Sequence, residues 1–307
     1  MQWIVNQLKV SNIWVMNWRQ HFFSTAFRNR VRTATLYVAI GLFAVHLALT
    51  EMAPWFPSLQ GWALLAHPIQ AIYTPFSLLL IYEAYLLIYY LRRSTTIYIG
   101  KQYEIMTLIL IRSIFKDLSQ SDLASRQVAE WWQLDLMRDL GTVVVVFGLI
   151  YLFYRISGMY APHSVEKDEE QLIGPKLQSF VRAKESLSVA LLAVFVALSL
   201  YSLVTWLGPV VGWSTAGMVD VNHIFFDTFY TFLIMSDVCI LLFTLLYTDD
   251  FPVIIRNSSF VVSTILLKLS FTAQPGMAQI LLISGIAFGV IMLWFSDAFD
   301  RLGRTKK

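Results

Sequence analysis

Eight long apolar runs constrain this chain more than any other feature of its sequence. They lie near 35–53, 71–91, 97–116, 140–156, 187–206, 224–247, 252–271 and 277–298. A helix needs about 20 mostly apolar residues to cross the hydrocarbon core of a bilayer, and the runs have about this length. Because backbone polar groups in lipid must be satisfied within the segment, such runs fold as helices. The sequence therefore predicts an all-α integral membrane protein with eight transmembrane helices.

Composition agrees with a multi-pass membrane protein. Hydrophobic residues make up 57% of the chain and charged residues only 14%, against about 25% charged residues in soluble domains. The net charge of +3, without a basic stripe, argues against a nucleic-acid partner. The single cysteine, Cys239, excludes an internal disulfide and a cysteine metal site. The lipid bilayer is the partner that composition predicts.

The distribution of basic residues predicts the orientation of the helices. Most of the 23 lysines and arginines fall before the first run, in alternate connections, or in the tail after the eighth run. Cytoplasmic segments of membrane proteins carry such an excess of positive charge. We therefore expect both termini in the cytoplasm, in agreement with an even number of crossings.

The sequence contains an internal repeat. Residues 35–62 align without gaps with residues 186–213, and Trp62 falls on Trp213. With short insertions, three charged pairs also align: Glu83 with Asp237, Lys101 with Arg256, and Arg112 with Lys268. An even number of crossings in each half makes the two four-helix repeats parallel, related by an axis along the membrane normal.

The repeat predicts the organisation of the whole chain. A cytoplasmic or interfacial amphipathic segment at 1–33 precedes a first four-span repeat at 34–158. A charged cytoplasmic linker at 159–185 leads to a second four-span repeat at 186–303, and a basic tail at 304–307 follows.

The second half carries a pattern that resembles a known family. Asp237 lies within its second span, DFPVIIR opens the third, Lys268 lies near the end of the third, and ILLISGIAFGVIMLWFSDAFDRL forms the fourth. These features resemble the PsiE-like (phosphate-starvation-inducible) family of small four-span membrane proteins. The first half resembles the same unit through its aligned charges, but it lacks the Phe-Pro pair and inserts residues 117–139. The resemblance implies a tandem duplication in a bacterial inner membrane, and it implies no particular activity.

Acids within the apolar runs are the candidate functional residues. A charge at the bilayer centre costs at least about 2.5–3.5 kcal/mol on insertion scales, so Glu83 and Asp237 must be paired, protonated or near water. The aligned bases are candidate partners or gates: Lys101, Arg112, Arg256 and Lys268. Three nearby hydroxyl groups could support the acids: Tyr82, Tyr85 and Ser236. Glu104 follows Lys101 by three residues and can pair with it on one helix face.

Two functions are open for these buried charges. A pathway lined by the intramembrane acids would permeate or transport a small ion or a proton. Alternatively, the charges fix helix packing in a non-catalytic structural or sensory component that docks a partner, in a response to phosphate or stress. The partner would be a second copy of the chain or another membrane protein.

Motifs of enzymes and cofactors are absent from the sequence. It has no phosphate-binding GxxxxGK[ST], no HExxH and no GxSxG. Its five histidines lack the paired spacing of haem ligands. Asp249 and Asp250 precede Pro252 and fit a solvated turn at a helix start. We therefore expect no catalytic residue, no metal and no cofactor.

Overall fold

The computed structural model describes residues 22–55, 71, 73–120, 129–158, 175–211, 221–247, 249–274 and 276–304. In these ranges the chain forms α-helices at all eight predicted positions and no β-strand. The helices are α1 (Thr25–Met52), α2 (Tyr73–Leu91), α3 (Thr95–Gln120), α4 (Ala129–Ser157), α5 (Pro175–Val211), α6 (Val221–Tyr247), α7 (Phe251–Thr272) and α8 (Met277–Arg304). The short 3-10 turn Ala53–Trp55 continues α1. The predicted all-helical fold is confirmed.

Seven helices in the described part of the chain are long and apolar enough to cross a membrane. The remaining helix is α3, where charged residues such as Lys101, Glu104 and Arg112 interrupt the apolar sequence. The chain is therefore a multi-pass membrane protein by the length and composition of its helices. An eighth crossing by α3 stays a prediction.

The fifth helix is longer than the apolar run that predicted it. It begins at Pro175, so the last part of the predicted linker at 159–185 is helical. Residues 159–174 of that linker lie outside the described residues, as does the interfacial segment before residue 22.

Contacts divide the chain into two compact units. The first comprises Met1–Tyr89 with Leu118–Gln120, and the second comprises Tyr90–Asp117 with Ser121–Lys307. This boundary falls at the end of α2 and does not coincide with the predicted linker. The two predicted repeats stay a prediction.

Polar contacts join α1 and α2 in the first unit. The Ser24 hydroxyl accepts a hydrogen bond of 3.0 Å from the backbone N–H of Phe27 and so caps the start of α1. Nδ1 of His46 lies 2.6 Å from the Thr74 hydroxyl on α2. Near the end of α2, the Arg28 guanidinium lies 5.1 Å from the centre of the Tyr89 ring.

Helices of the second unit pack mainly on their neighbours in the chain. Helix α5 packs on α6, α6 on α7, and α7 most closely on α8, which also contacts α4.

Gly285 and Gly289 on α8 have the GxxxG spacing that lets membrane helices approach closely. Ser263 of α7 donates a hydrogen bond of 2.7 Å to the Gly285 carbonyl. A methyl group at Gly289 would overlap the Tyr103 hydroxyl of α3. Small residues on α8 therefore make room for α7 and α3.

The turn between α7 and α8 depends on Gly276. Its φ angle of +93° is strained for any side chain. Gln279 accepts a hydrogen bond of 2.5 Å from the Gly276 N–H and donates one of 2.5 Å to the Asp139 carboxylate on α4. One glutamine thus fixes the start of α8 against α4.

The buried face of α7 is largely polar. It consists of Asn257, Ser259, Phe260, Val261, Ser263, Thr264 and Leu267. Lipid tails offer no partner to polar side chains, so these side chains lie where helices meet. This face leads to the candidate site.

Candidate functional site

A buried polar cluster around Asp237 joins α3, α6 and α7. Asp237 is 4% exposed and Gln102 is fully buried. Nε2 of Gln102 donates a hydrogen bond of 3.2 Å to Oδ2 of Asp237. Oε1 of Gln102 accepts one of 2.9 Å from the Thr264 hydroxyl, whose single proton is shared with the Phe260 carbonyl of its own helix at 3.0 Å. One side-chain amide on α3 therefore bridges α6 and α7.

Helical spacing explains why these polar groups meet. Residues three, four or seven apart return to the same face of an α-helix. The polar stripes with this spacing are Thr95, Tyr98 and Gln102 on α3, Asp237 and Thr244 on α6, and Asn257 and Thr264 on α7. Each stripe lies against the other helices, which keeps its polar atoms away from lipid.

A small cavity lies beside Asp237, with room for about one water molecule. Its polar lining consists of Thr95, Tyr98, Asp237 and Asn257, and five apolar side chains of α3, α6 and α7 complete it. Three buried oxygens of this lining, Asp237 Oδ1, Asn257 Oδ1 and the Tyr98 hydroxyl, make no hydrogen bond to the residues that the structure describes. The Tyr98 hydroxyl does lie close to the Asp237 carboxylate, without the geometry of a hydrogen bond.

The neighbours of Asn257 determine which way its amide points. The Thr244 hydroxyl donates its only proton to the Ile240 carbonyl, at 2.9 Å. Thr244 can therefore only accept from Asn257, whose Nδ2 lies 3.3 Å away. The amide nitrogen thus contacts Thr244, and the carbonyl oxygen Oδ1 is left for the cavity.

A second chain of hydroxyl groups lies next to the Asp237 cluster. The Tyr103 hydroxyl is 2.8 Å from Ser263 Oγ. Because Ser263 donates its proton to the Gly285 carbonyl, Tyr103 must donate to Ser263. These hydrogen bonds link α3 to α7 and α8. The Tyr103 and Ser263 hydroxyls therefore provide no hydrogen-bond donor to Asp237.

Lys184 is a buried base near the cavity. It is 3% exposed, and its amino group donates to the Arg93 carbonyl at 2.9 Å and to the Thr95 hydroxyl at 3.3 Å. Thr95 and Asp237 both line the cavity. The lining therefore contains one acid, and one base donates a hydrogen bond to it through Thr95.

The predicted pair of Lys101 and Glu104 is confirmed. Nζ of Lys101 lies 2.6 Å from Oε2 of Glu104. The Tyr154 hydroxyl of α4 donates a hydrogen bond of 2.5 Å to the other carboxylate oxygen of Glu104. Lys101 also lies 5.5 Å from the centre of the Tyr90 ring. This pair holds α3 against α4.

The other predicted residues of the second unit occupy separate places. Lys268 donates a hydrogen bond of 2.5 Å to the Thr231 hydroxyl on α6. Ser236 donates to the Phe232 carbonyl of its own helix at 2.9 Å. Arg112 and Arg256 are half-buried on α3 and α7.

The predicted residues of the first unit all lie on α2. Glu83 and Tyr82 are half-buried, and Tyr85 is buried. The Tyr85 hydroxyl donates to the Phe22 carbonyl at 3.0 Å, and its ring centre lies 6.3 Å from that of Tyr82. Participation of Glu83 in one pathway with Asp237 stays a prediction.

Sequence reasoning missed the neutral members of the Asp237 cluster: Tyr98, Gln102, Asn257 and Thr264. It singled out charged residues, and these four carry no charge. Their helical spacing was the signal that could have identified them.

Comparison with known proteins adds no assignment. The chain matches no protein-family model, no curated protein and no solved structure. Its function must be argued from the site.

Proposed function

We propose that this chain permeates or transports a small ion or a proton across the membrane, with Asp237 on the pathway. The observation that carries this proposal is the environment of the carboxylate. Gln102 donates to one of its oxygens, the other oxygen makes no hydrogen bond to the described residues, and Asp237 lines a water-sized cavity. Buried acids of this kind are costly in a membrane and are characteristic of ion and proton pathways.

The proposal includes the wider architecture. Eight crossings would form two parallel four-helix repeats with both termini in the cytoplasm of a bacterium, as a duplicated PsiE-like unit in the inner membrane. The alignment of Glu83 with Asp237 and the distribution of basic residues support it. Glu83 would be the counterpart of Asp237 in the first repeat. The aligned bases would be partners or gates of the two acids: Lys101, Arg112, Arg256 and Lys268.

A structural or sensory membrane component is the second candidate function. The bridge from Gln102 to Asp237 and Thr264 favours it, because the bridge ties three helices into one arrangement. Polar contacts of this kind hold membrane helices together. In that case Asp237 would stabilise the packing of the helices and would not bind a transported ion.

Flux through proteoliposomes distinguishes the two candidates. Protons, sodium, potassium, chloride and phosphate are scanned with the parent protein and with Asp237→Asn, which removes the charge and keeps the shape of the side chain. Glu83→Gln tests the aligned acid separately. Ser284→Ala is a matched control, because Ser284 is exposed on α8 and bonds only to the Leu281 carbonyl of its own helix among the described residues.

We expect Asp237→Asn to lower flux by about tenfold or more, as a barrier raised by about 1.4 kcal/mol would do. The thermal stability measured in choline chloride, without a transported metal cation, should be unchanged. Equal flux through the parent and Asp237→Asn would exclude Asp237 from the pathway. A parent without flux of any ion, combined with an Asp237→Asn variant of lower stability, would favour the structural function.

A further inference from the structure

We propose that the cavity beside Asp237 binds one monovalent metal cation without its hydration shell, through oxygen atoms of Asp237, Asn257 and Tyr98. This inference rests on the proposed function, because it names the class of ion that the Asp237 pathway would hold.

The polar atoms around the cavity favour a positively charged ligand. Carboxylate and amide oxygens only accept hydrogen bonds. Asp237 and Asn257 both line one small cavity. Their Oδ1 atoms make no hydrogen bond within the described ranges, although the Tyr98 hydroxyl lies close to the Asp237 carboxylate. The contact of Asn257 with Thr244 fixes its oxygen, and not its nitrogen, as the free atom. Oxygen ligands of this type suit hard cations.

Charge limits the ligand to a single positive charge. Asp237 is the only acid among the residues that line the cavity. The five apolar side chains around it provide a low dielectric, where an uncompensated charge is costly. A divalent cation would leave a larger excess of positive charge than a monovalent one, because the ammonium group of Lys184 already contacts Thr95 of the lining. An anion would meet the carboxylate directly.

Size limits the ligand to an ion without its water. The cavity has room for about one water molecule, so an ion can enter only if protein oxygens replace its hydration shell. Three oxygens are available for this from Asp237, Asn257 and Tyr98. Thr95 provides a fourth, since its hydroxyl accepts from Lys184 and retains a second lone pair.

Thermal unfolding of the purified full-length chain in detergent tests the site. The parent is unfolded in choline chloride and then with choline replaced stepwise by sodium or by potassium at constant ionic strength. A ligand that binds only the folded state raises the Tm in a saturable way, by roughly 5 °C at a hundredfold excess over its Kd. We expect this rise with sodium or potassium in the parent and no rise in Asp237→Asn.

Two tyrosine variants separate binding from folding. Tyr98→Phe removes one proposed ligand and keeps the ring, so we expect it to increase the half-saturating cation concentration several-fold. Tyr154→Phe removes a hydroxyl that contacts Glu104 and does not line the cavity, so the half-saturating concentration should stay at the parent value. The readout is the cation-dependent change in Tm, which does not depend on the absolute stability of each variant.

Identical unfolding temperatures of the parent in choline, sodium and potassium would overturn the cation site. The same holds if calcium stabilises the parent at far lower concentrations than sodium or potassium, or if Tyr98→Phe and Tyr154→Phe behave alike. If the cation site fails and Asp237-dependent proton flux persists, the proposed function stands with a proton as its ion. If sodium or potassium stabilises the parent but no ion crosses the membrane, the site stands and the proposed function fails.

Discussion

Gln102 donates a hydrogen bond of 3.2 Å to Asp237, a residue 135 positions later in the chain. The other end of the same amide accepts from Thr264, 162 positions later. Gln102 lies on α3, the helix with the charged interruptions, and it is fully buried. The most polar of the eight helices thus supplies the partner of the buried acid on α6. This contact is the basis of the first prediction.

Replacing Gln102 by leucine should destabilise the protein. The change removes the donor to Asp237 and the acceptor of Thr264, and an unsatisfied buried polar group costs about 1–3 kcal/mol in soluble proteins. Interhelical hydrogen bonds in membranes contribute less, about 0.6 kcal/mol on average. We therefore expect a loss of about 1 kcal/mol in the free energy of unfolding, measured by denaturant titration in detergent. Gln274→Leu, at an exposed position, is the matched control, and equal effects of the two changes would contradict the bridge.

Gly289→Ala should destabilise the contact between α8 and α3. The new methyl group would overlap the Tyr103 hydroxyl, and added volume in a packed interior typically costs about 1–3 kcal/mol. Gly148→Ala is the control, because a methyl group at Gly148 on α4 would meet no atom within 4 Å. Alanine has the higher helix propensity, by about 1 kcal/mol, so Gly148→Ala should be neutral or stabilising. A Gly289→Ala protein as stable as the parent would show that α8 does not approach Tyr103 so closely.

The cost of Gly289→Ala should depend on Tyr103. In a double mutant with Tyr103→Phe, the atom that overlaps the new methyl group is gone, although the ring carbon at 3.1 Å remains tight. We expect the double mutant to be more stable than the sum of the two single changes predicts, by at least about 0.5 kcal/mol. Additive effects in this double-mutant cycle would place the cost of Gly289→Ala elsewhere.

Lys184→Gln should strengthen cation binding at the cavity. The ammonium group contacts Thr95, which lines the cavity, and it repels a cation there. Glutamine keeps a donor for the Arg93 carbonyl but carries no charge. We expect the half-saturating cation concentration in thermal unfolding to fall several-fold. Arg182→Gln, an exposed basic position of the same helix, should have little effect because solvent screens its charge. The same shift in both variants would show that Lys184 does not act locally.

The positions of the helices could be predicted from the sequence, because the apolar runs have the length that a membrane crossing requires. Helix ends were less predictable. The charged residues before position 187 are compatible with a helix, and α5 begins at Pro175. Proline is favoured at the first position of a helix, so this residue carried a signal that hydropathy alone does not use.

The site was predictable only where its contacts are local or charged. The pair of Lys101 and Glu104 follows from a spacing of three residues on one helix. Asp237 was identified by its charge in an apolar run. Its contact with Gln102 depends on how α3 packs against α6, and a single sequence does not determine that packing. The neutral partners of Asp237 were therefore identified only from the structure.

The most direct test of a cation at Asp237 is the infrared difference spectrum of the reconstituted protein when sodium or potassium replaces choline. A carboxyl group that gains or loses a bound cation changes its stretching bands. We expect a carboxyl difference band in the parent that is absent from Asp237→Asn and unchanged in Ser284→Ala. A spectrum without any band that depends on Asp237, for both cations, would contradict the assignment of this carboxylate as the ion ligand.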